Sequence, residues 1–181
     1  MKKILILLIL SLSLILTACF SGQQEQADLT IKNINMELTS PAFDNNQSIP
    51  SQYTCDGENV NPPLKIAEVP NDAKSLVLIV DDPDAPAGTW VHWTVWNIDP
   101  QTTEIAENSV PADAVEGMTN FGKTGYGGPC PPSGEHRYFF KLYALDKELD
   151  LSASSGKDEL EQIMQGHVLD SVELIGLYSR Q

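Results

Sequence analysis

The amino-acid sequence predicts a mostly β domain, either a sandwich or a barrel, on three observations. Short runs of alternating apolar and polar residues recur from about Leu29 onward, with the period of strands that have one buried face. Clusters of Pro, Gly, Asn and Asp separate these runs, as turns between strands do. A single stretch, close to the C-terminus, has the apolar spacing of a helix.

The N-terminal segment 1–18 has the three zones of an export signal: Lys2 and Lys3, an apolar run, and small residues before Cys19. The apolar run is interrupted by serines and is short for a membrane-spanning helix, which needs about 20 apolar residues. We therefore expect cleavage before Cys19.

Leu16-Thr17-Ala18-Cys19 resembles the lipobox of bacterial lipoproteins, in which the cysteine receives a diacylglyceryl group and becomes the new N-terminus. The resemblance implies a lipid on Cys19 and stable anchoring by two or three acyl chains. The alternative is an ordinary secretory signal with a chance cysteine. Phe20 is not an Asp retention signal, so the resemblance favours the periplasmic face of the outer membrane, in a cell that has one.

Residues 19–27 predict a short, polar, Gln-rich tether, and residues 28–181 predict one domain of ordinary size. The chain has a formal net charge of −14, and loss of Lys2 and Lys3 makes the exported part more acidic still. Nucleic-acid phosphates attract clustered Lys and Arg, so nucleic acid is not an expected partner. We interpret the acidity as a contribution to solubility.

Four strands are predicted along the domain before the helix and the last strand. Leu29–Leu38 alternates with one phase slip, which indicates a bulge or a bend. Ser75–Val80 contains a continuous apolar run that is short and β-branched, and it predicts a strand buried on both faces. His92–Ile98 and Arg137–Leu145 are the other two, and the aromatic side chains of Arg137–Leu145 are expected in the core.

One accessory helix is predicted from about Lys157 to Gln165, with Ser154 or Ser155 as its cap and Gly166 at its end. Its apolar face consists of Leu160, Ile163 and Met164. The segment 168–178 then returns to β-type composition and predicts the last strand.

Two cysteines remain once Cys19 is lipidated, Cys55 and Cys130. An exported compartment is oxidising, so an even pair of thiols predicts one disulfide. The alternative is two free or metal-binding thiols, although no second pair of cysteines is present to complete a zinc site.

Three local sequences carry side chains that could bind a ligand or take part in a reaction. Asp82-Pro83-Asp84-Ala85-Pro86 follows the buried strand, and its prolines stiffen the loop. In Trp90-Val91-His92-Trp93, strand alternation places Trp90 and His92 on one face. Gly125–Tyr138 is a Gly- and Pro-rich loop that leads into a strand, on which His136 and Tyr138 share a face.

These motifs resemble the phosphatidylethanolamine-binding family, whose other name is Raf-kinase-inhibitor-like proteins. The resemblance covers nearly the whole domain and rests on Cys55-Asp56-Gly57, Asn61-Pro62-Pro63-Leu64, the Asp82 loop, the His92 strand, the Gly125–Tyr138 block and Gly166-His167-Val168-Leu169. It is greatest with small bacterial members that carry Gly-Pro-Cys-Pro-Pro. It implies a two-sheet antiparallel β-sandwich with one or two short accessory helices, one of them near the C-terminus.

Two positions depart from the pattern of the family. Ile66 stands where an aromatic residue is frequent, and Asn120 stands where an Asp precedes Phe121-Gly122. Neither is a pocket residue, but the Asn120 change leaves open how the loop beside the pocket is braced.

The resemblance also implies a small cavity that binds phosphate, acetate, phosphorylethanolamine or similar anionic groups. Its residues map to Asp82, Trp90, His92, His136 and Tyr138, with the backbone of Pro83, Gly128 and Pro129 at the rim. Imidazoles and a tyrosine hydroxyl can donate hydrogen bonds to an anion, and Asp82 would hold one imidazole in a fixed tautomer. The Gly-rich loop would let backbone N–H groups approach the ligand.

We therefore expect a membrane-anchored binding module with no catalytic residue, cofactor or metal. Its expected partner is a small anionic ligand or a phospholipid head group, and a homodimer is compatible with this scheme. Because a bound anion raises the pKa of an imidazole, binding is expected to be strongest below about pH 6.5.

Three alternatives stay open from the sequence. An inhibitor or regulator could act by protein contact on an enzyme of the envelope, as family members elsewhere inhibit kinases or serine proteases. Asp82, His92 and His136 could form a metal site with an open position. A hydrolase would use Ser133, or the Asp82–His92 pair as a base, but the Ser133 sequence lacks a nucleophile elbow.

Overall fold

The computed structural model describes residues 35–180. The predicted export signal, the predicted lipidation site Cys19, the predicted tether and the beginning of the predicted Leu29–Leu38 strand lie outside the described residues. Within residues 35–180, no helix is long and apolar enough to cross a membrane. The strands and the helix are β1 (Glu37–Thr39), β2 (Gln47–Ser48), β3 (Leu64–Ala67), β4 (Ser75–Asp82), β5 (Trp90–Ile98), β6 (Glu104–Ile105), β7 (Val115–Glu116), β8 (Glu135–Leu145), α1 (Lys157–Met164) and β9 (Val168–Ser179).

The strands form two sheets, which confirms the predicted mostly β, two-sheet fold. A three-stranded sheet has the order β1-β3-β6, and a six-stranded sheet has the order β2-β9-β8-β4-β5-β7. The pairing is antiparallel, as expected of the sandwich, except at one edge, where the two-residue strand β2 runs parallel to β9. The reason is that the chain after β1 crosses to the far edge of the other sheet, where Asn46 N–H donates to Ile175 O at 2.7 Å.

Strand β4 is the centre of the molecule, and every one of its residues is buried. On one side, Leu76, Leu78 and Val80 belong to the core between the two sheets. On the other side, Val77 and Ile79 pack beneath α1 in a second apolar cluster. The continuous apolar run of β4 is therefore the consequence of being covered on both faces, as predicted.

Helix α1 lies where its apolar spacing predicts it, with Leu160 and Met164 buried against the outer face of the large sheet. The predicted serine cap is wrong, since the N-cap residue is Gly156. Its N–H donates to Glu159 Oε2 at 2.7 Å, which is the half of a capping box that the side chain of the third helical residue provides. The helix ends before Gly166, which has a positive φ of 78°.

Candidate functional site

A cavity of about 310 Å³ lies where the ends of β4, β5 and β8 meet. This volume is at the small end of ligand pockets in proteins. Five of the eight ligand-binding residues predicted from the sequence line it. The full lining is Asp82, Ala85, Pro86, Trp90, His92, Phe121, Cys130, Pro131, Pro132, His136 and Tyr138.

A β-bulge in β5 positions His92. Val80 pairs with Trp93 and Asp81 pairs with Val91, so His92 is an extra residue opposite β4. Simple alternation would place His92 and Trp93 on opposite faces. Instead, Trp93 is part of the core between the sheets, and the His92 ring lies 5.2 Å from that of Tyr138, which belongs to the same core. The bulge thus directs an imidazole into the cavity, a use of bulges that recurs beside functional sites.

Both imidazoles in the cavity are held by hydrogen bonds at Nδ1. His92 Nδ1 lies 2.6 Å from the carbonyl oxygen of Gly127, and His136 Nδ1 lies 2.7 Å from Asp82 Oδ2. A carbonyl and a carboxylate only accept, so each Nδ1 carries the proton and donates it. Each Nε2 is left as the ring nitrogen that can meet a ligand.

Asp82 braces the cavity through both of its carboxylate oxygens. While Oδ2 accepts from His136, Oδ1 accepts from the N–H of Asp84 at 2.8 Å. Arg137 holds the same loop from outside, because its guanidinium makes a two-point ion pair with Asp84. This pair lowers the pKa of Asp84 to about 2. The predicted tautomer-fixing role of a carboxylate falls on His136, and the Asp82–His92 base of the hydrolase alternative is not formed.

Among the described residues, no Lys or Arg lines the cavity, so the groups that can face a ligand are two imidazoles and the hydroxyl of Tyr138. Burial lowers the pKa of His92 below its usual 6.5, against the opposing effects of the Gly127 carbonyl and the Asp82 charge. Burial and the charge of Asp82 raise the pKa of Tyr138, which keeps its hydroxyl protonated. That hydroxyl is buried and has no hydrogen-bond partner of good geometry among the described residues. The backbone of Cys130 approaches this hydroxyl and partly offsets the rise in its pKa.

Three predicted rim residues, Pro83, Gly128 and Pro129, do not line the cavity. Gly128 N–H already donates to Asn59 Oδ1 at 2.7 Å, and Pro129 O accepts from Cys55 N–H at 3.1 Å. The Gly128 N–H is therefore engaged within the protein and is not free to meet a ligand. This part of the loop supports the cavity from behind.

Asn120, which stands where the family has an Asp, braces the loop beside the cavity. Asn120 Oδ1 accepts from Val91 N–H at 2.6 Å, and Asn120 N–H donates to Val91 O at 3.2 Å. An amide oxygen accepts as a carboxylate would, so the Asn keeps the contact. The loop then presents Phe121 edge-on to Trp90 and His92, with centroid distances of 5.5 Å and 5.4 Å.

Sequence reasoning missed six residues of the lining. Phe121 follows Asn120, which departs from the pattern of the family. The other five stand in the Asp82 loop and the Gly125–Tyr138 block, where the alternation of Pro with small residues is a usable signal. They are Ala85, Pro86, Cys130, Pro131 and Pro132.

The predicted disulfide is confirmed, with Cys55 and Cys130 bonded at an S–S distance of 2.09 Å. Two other residues considered as functional candidates, Ser133 and His167, lie outside the cavity. Ser133 does not line the cavity, and His167 is half-buried and hydrogen-bonded to Asp146 Oδ1 at 2.8 Å. Among residues 35–180, no group of three or more His, Cys, Asp and Glu side chains could hold a metal ion.

The fold and the cavity define a class: β-sandwich domains with a small preformed pocket that carries two oriented histidines. The chain belongs to the phosphatidylethanolamine-binding protein family, whose model matches residues 39–179. A UPF0098 protein of Methanothermobacter thermautotrophicus is 52% identical over 150 residues, which cover 80% of this chain and 99% of that protein. UPF0098 protein PH1269 of Pyrococcus horikoshii is 43% identical over 190 residues, covering 100% of this chain and 91% of its own.

Two solved structures share the architecture. A phosphatidylethanolamine-binding protein homologue of Chlamydia trachomatis, CT736, superposes with a TM-score of 0.79 at 42% identity, over 82% of this chain and 99% of that one. YbcL of E. coli, described as a member of the mammalian family, superposes with a TM-score of 0.77 at 29% identity, over 81% of this chain and 99% of its own.

Proposed function

We propose that this protein is a membrane-anchored binding module whose cavity holds a small ligand bearing a phosphate or carboxylate group. The orientation of the two imidazoles carries the proposal. His92 and His136 each use Nδ1–H within the protein, so both Nε2 atoms are free to meet one ligand group. The buried Tyr138 hydroxyl adds a donor that lacks a partner of good geometry among the described residues.

Anion binding in this cavity requires the uptake of a proton. The oxygen of an anion needs a donor, whereas Nε2 of a neutral imidazole only accepts. Because burial lowers the pKa of His92, that ring is neutral at pH 7 in the free protein, and the proton comes from solvent or with the ligand. A bound anion then raises the pKa. Affinity is therefore full below the free-state pKa and falls as pH rises toward the bound-state pKa.

The rest of the lining suits a small ligand with a short apolar portion. Hydrocarbon and ring surfaces cover this part of the lining and exclude water. They belong to Ala85, Pro86, Phe121, Pro131 and Pro132. Hydrogen bonds are stronger in such surroundings than in water. The same surfaces limit the size of the ligand, so we expect a head group or a small acid rather than a polymer.

Calorimetric titration of the purified protein with sulfate tests the proposal, because sulfate keeps its charge over the relevant pH range. Between the two pKa values of His92, affinity should fall about tenfold per pH unit. We therefore expect binding that is at least about tenfold tighter at pH ~5.5 than at pH ~8. Equal affinity at both pH values would contradict the proposal.

Variants of the histidines assign the binding to the cavity. His92→Ala and His136→Ala, singly and together, should weaken sulfate binding by at least about tenfold each, the loss of one charge-assisted hydrogen bond. His167→Ala is the matched control, since its ring bonds to Asp146 outside the cavity. Folded variants that keep wild-type affinity would show that the imidazoles do not hold the anion. Native mass spectrometry of protein from its own envelope would then identify a retained ligand.

A further inference from the structure

The cavity wall formed by Cys130, Pro131 and Pro132 has few hydrogen bonds to hold it. Proline has no backbone N–H, so Cys130 is the one donor in the segment Pro129–Pro132. Within the described part of the chain, residues 130–134 make no backbone-to-backbone hydrogen bond before β8 begins at Glu135. Regular backbone hydrogen bonds fix a strand or a helix in place, and this wall has no such bonds to the described residues.

The Cys55–Cys130 disulfide joins that wall to a firmly held segment, residues 51–56, which we call the platform. Cys55 follows a 3₁₀ turn at Ser51–Tyr53, and the next residue, Asp56, accepts hydrogen bonds from Tyr178 at 2.8 Å and Arg180 at 2.8 Å. The platform is thus fastened to the end of β9. The wall lies at the other end of the disulfide and lines the cavity directly.

The disulfide is accessible and lies apart from the main core. Both cysteines are exposed, and neither belongs to the two apolar clusters that hold the sheets and α1 together. Behind the wall, the contacts of Gly128 with Asn59 and of Tyr126 O–H with Tyr53 O remain when the disulfide opens. Reduction should therefore loosen the wall without unfolding the sheets.

We propose that the Cys55–Cys130 disulfide is a redox control on the cavity: oxidised, it holds the Cys130–Pro132 wall closed, and its reduction opens the cavity to water. A dithiol supplies the two electrons and two protons that convert the disulfide to two cysteine thiols, and the dithiol is itself oxidised to a disulfide. The opening of the wall stands on its own. Its effect on ligand affinity rests on the proposed function.

Opening of the wall can be detected from the His92 ring without any ligand. Nuclear magnetic resonance titration of the side chains compares oxidised protein with protein reduced by dithiothreitol. Since burial is what lowers the pKa of His92, opening the wall should move its titration midpoint upward, toward 6.5. At a fixed pH, the ring signals of His167, which bonds to Asp146 outside the cavity, should be the same in both forms. The backbone order parameters of Cys130 and Ser133, measured by amide relaxation, should fall on reduction from the range of a rigid backbone, about 0.85, to below about 0.6.

Sulfate affinity is measured in the same two forms, with far-UV circular dichroism as the check on folding. We expect a loss of affinity of at least about fivefold on reduction and full recovery on reoxidation. The variant Cys55→Ser with Cys130→Ser should behave like the reduced protein. Where this variant fails to fold, reversible reduction of the wild type still decides.

Each outcome separates the two proposals. An unchanged His92 midpoint together with unchanged order parameters of Cys130 and Ser133 overturns the inference, whatever the affinity. Loss of β-sheet signal on reduction also overturns it, because the disulfide would then hold the whole domain. A wall that opens in a protein that binds sulfate in neither form supports the inference and contradicts the proposed function.

Discussion

At the scale of single residues, Gly128 shows how a motif residue can matter for a reason other than ligand contact. A Cβ on Gly128 would lie 2.5 Å from Tyr53 O and 2.8 Å from Thr54 Cα. Both are backbone atoms and cannot rotate away. The absence of a side chain therefore lets the loop behind the cavity approach the 3₁₀ turn, and Gly128 is a packing residue.

Gly128→Ala should consequently destabilise the protein by about 1–3 kcal/mol, the usual effect of overpacking, and weaken sulfate binding. Urea denaturation and calorimetry measure the two effects. Gly156→Ala is the matched control, because the nearest atom to its Cβ would be 3.8 Å away. Its cost should stay within the few tenths to about 1 kcal/mol of a cap change and leave sulfate binding intact. Wild-type stability of Gly128→Ala would refute the close-approach argument.

At the scale of elements, strand alternation in β4 directs the neighbouring side chains of Asp81 and Asp82 to opposite faces of the sheet. Asp82 faces the cavity, whereas Asp81 is fully buried on the outer side. There it binds Lys141 Nζ at 2.8 Å and Lys157 Nζ at 2.5 Å. Lys157 is the first residue of α1, so Asp81 ties the helix to the sheet. The cavity and this ion cluster share a strand but use opposite faces.

Asp81→Ala should therefore destabilise the domain by about 3–5 kcal/mol, since it leaves two lysines around a vacated buried position. Sulfate affinity of the folded fraction should stay at the wild-type value. Asp146→Ala, which removes an exposed partner of His167, should cost less than about 1 kcal/mol. Urea denaturation gives both values. An equal cost for the two variants would show that Asp81 does not anchor the helix.

At the scale of the whole molecule, the proposed membrane attachment depends on residues before the described domain. The sequence around Cys19 is what supports it. Cys19→Ala should move the protein from the membrane fraction to the soluble fraction of its cells, because acyl chains provide the binding free energy. Ser21→Ala is the control and should stay with the membrane. A wild-type protein in the soluble fraction would end the proposal of a lipid anchor.

The main elements could be predicted because their signals are local. The apolar run of β4 and the helical spacing of α1 are short-range patterns, and the structure has both where expected. The short strands β2, β6 and β7 have two residues each, and such pairs carry no periodicity to detect. Five of the eight expected cavity residues do line the cavity, because the resemblance transferred whole motifs.

The sequence by itself determined the β class, the chemical identity of the cavity side chains and the pairing of Cys55 with Cys130. Only the tertiary structure decided that Asp82 orients His136 and that Gly127 holds His92, contacts between residues 54 and 35 positions apart. It also decided the bulge that directs His92 inward. The physical reason is that register and hydrogen-bond partners depend on how distant strands pack together, and periodicity along one strand contains no information about its neighbours.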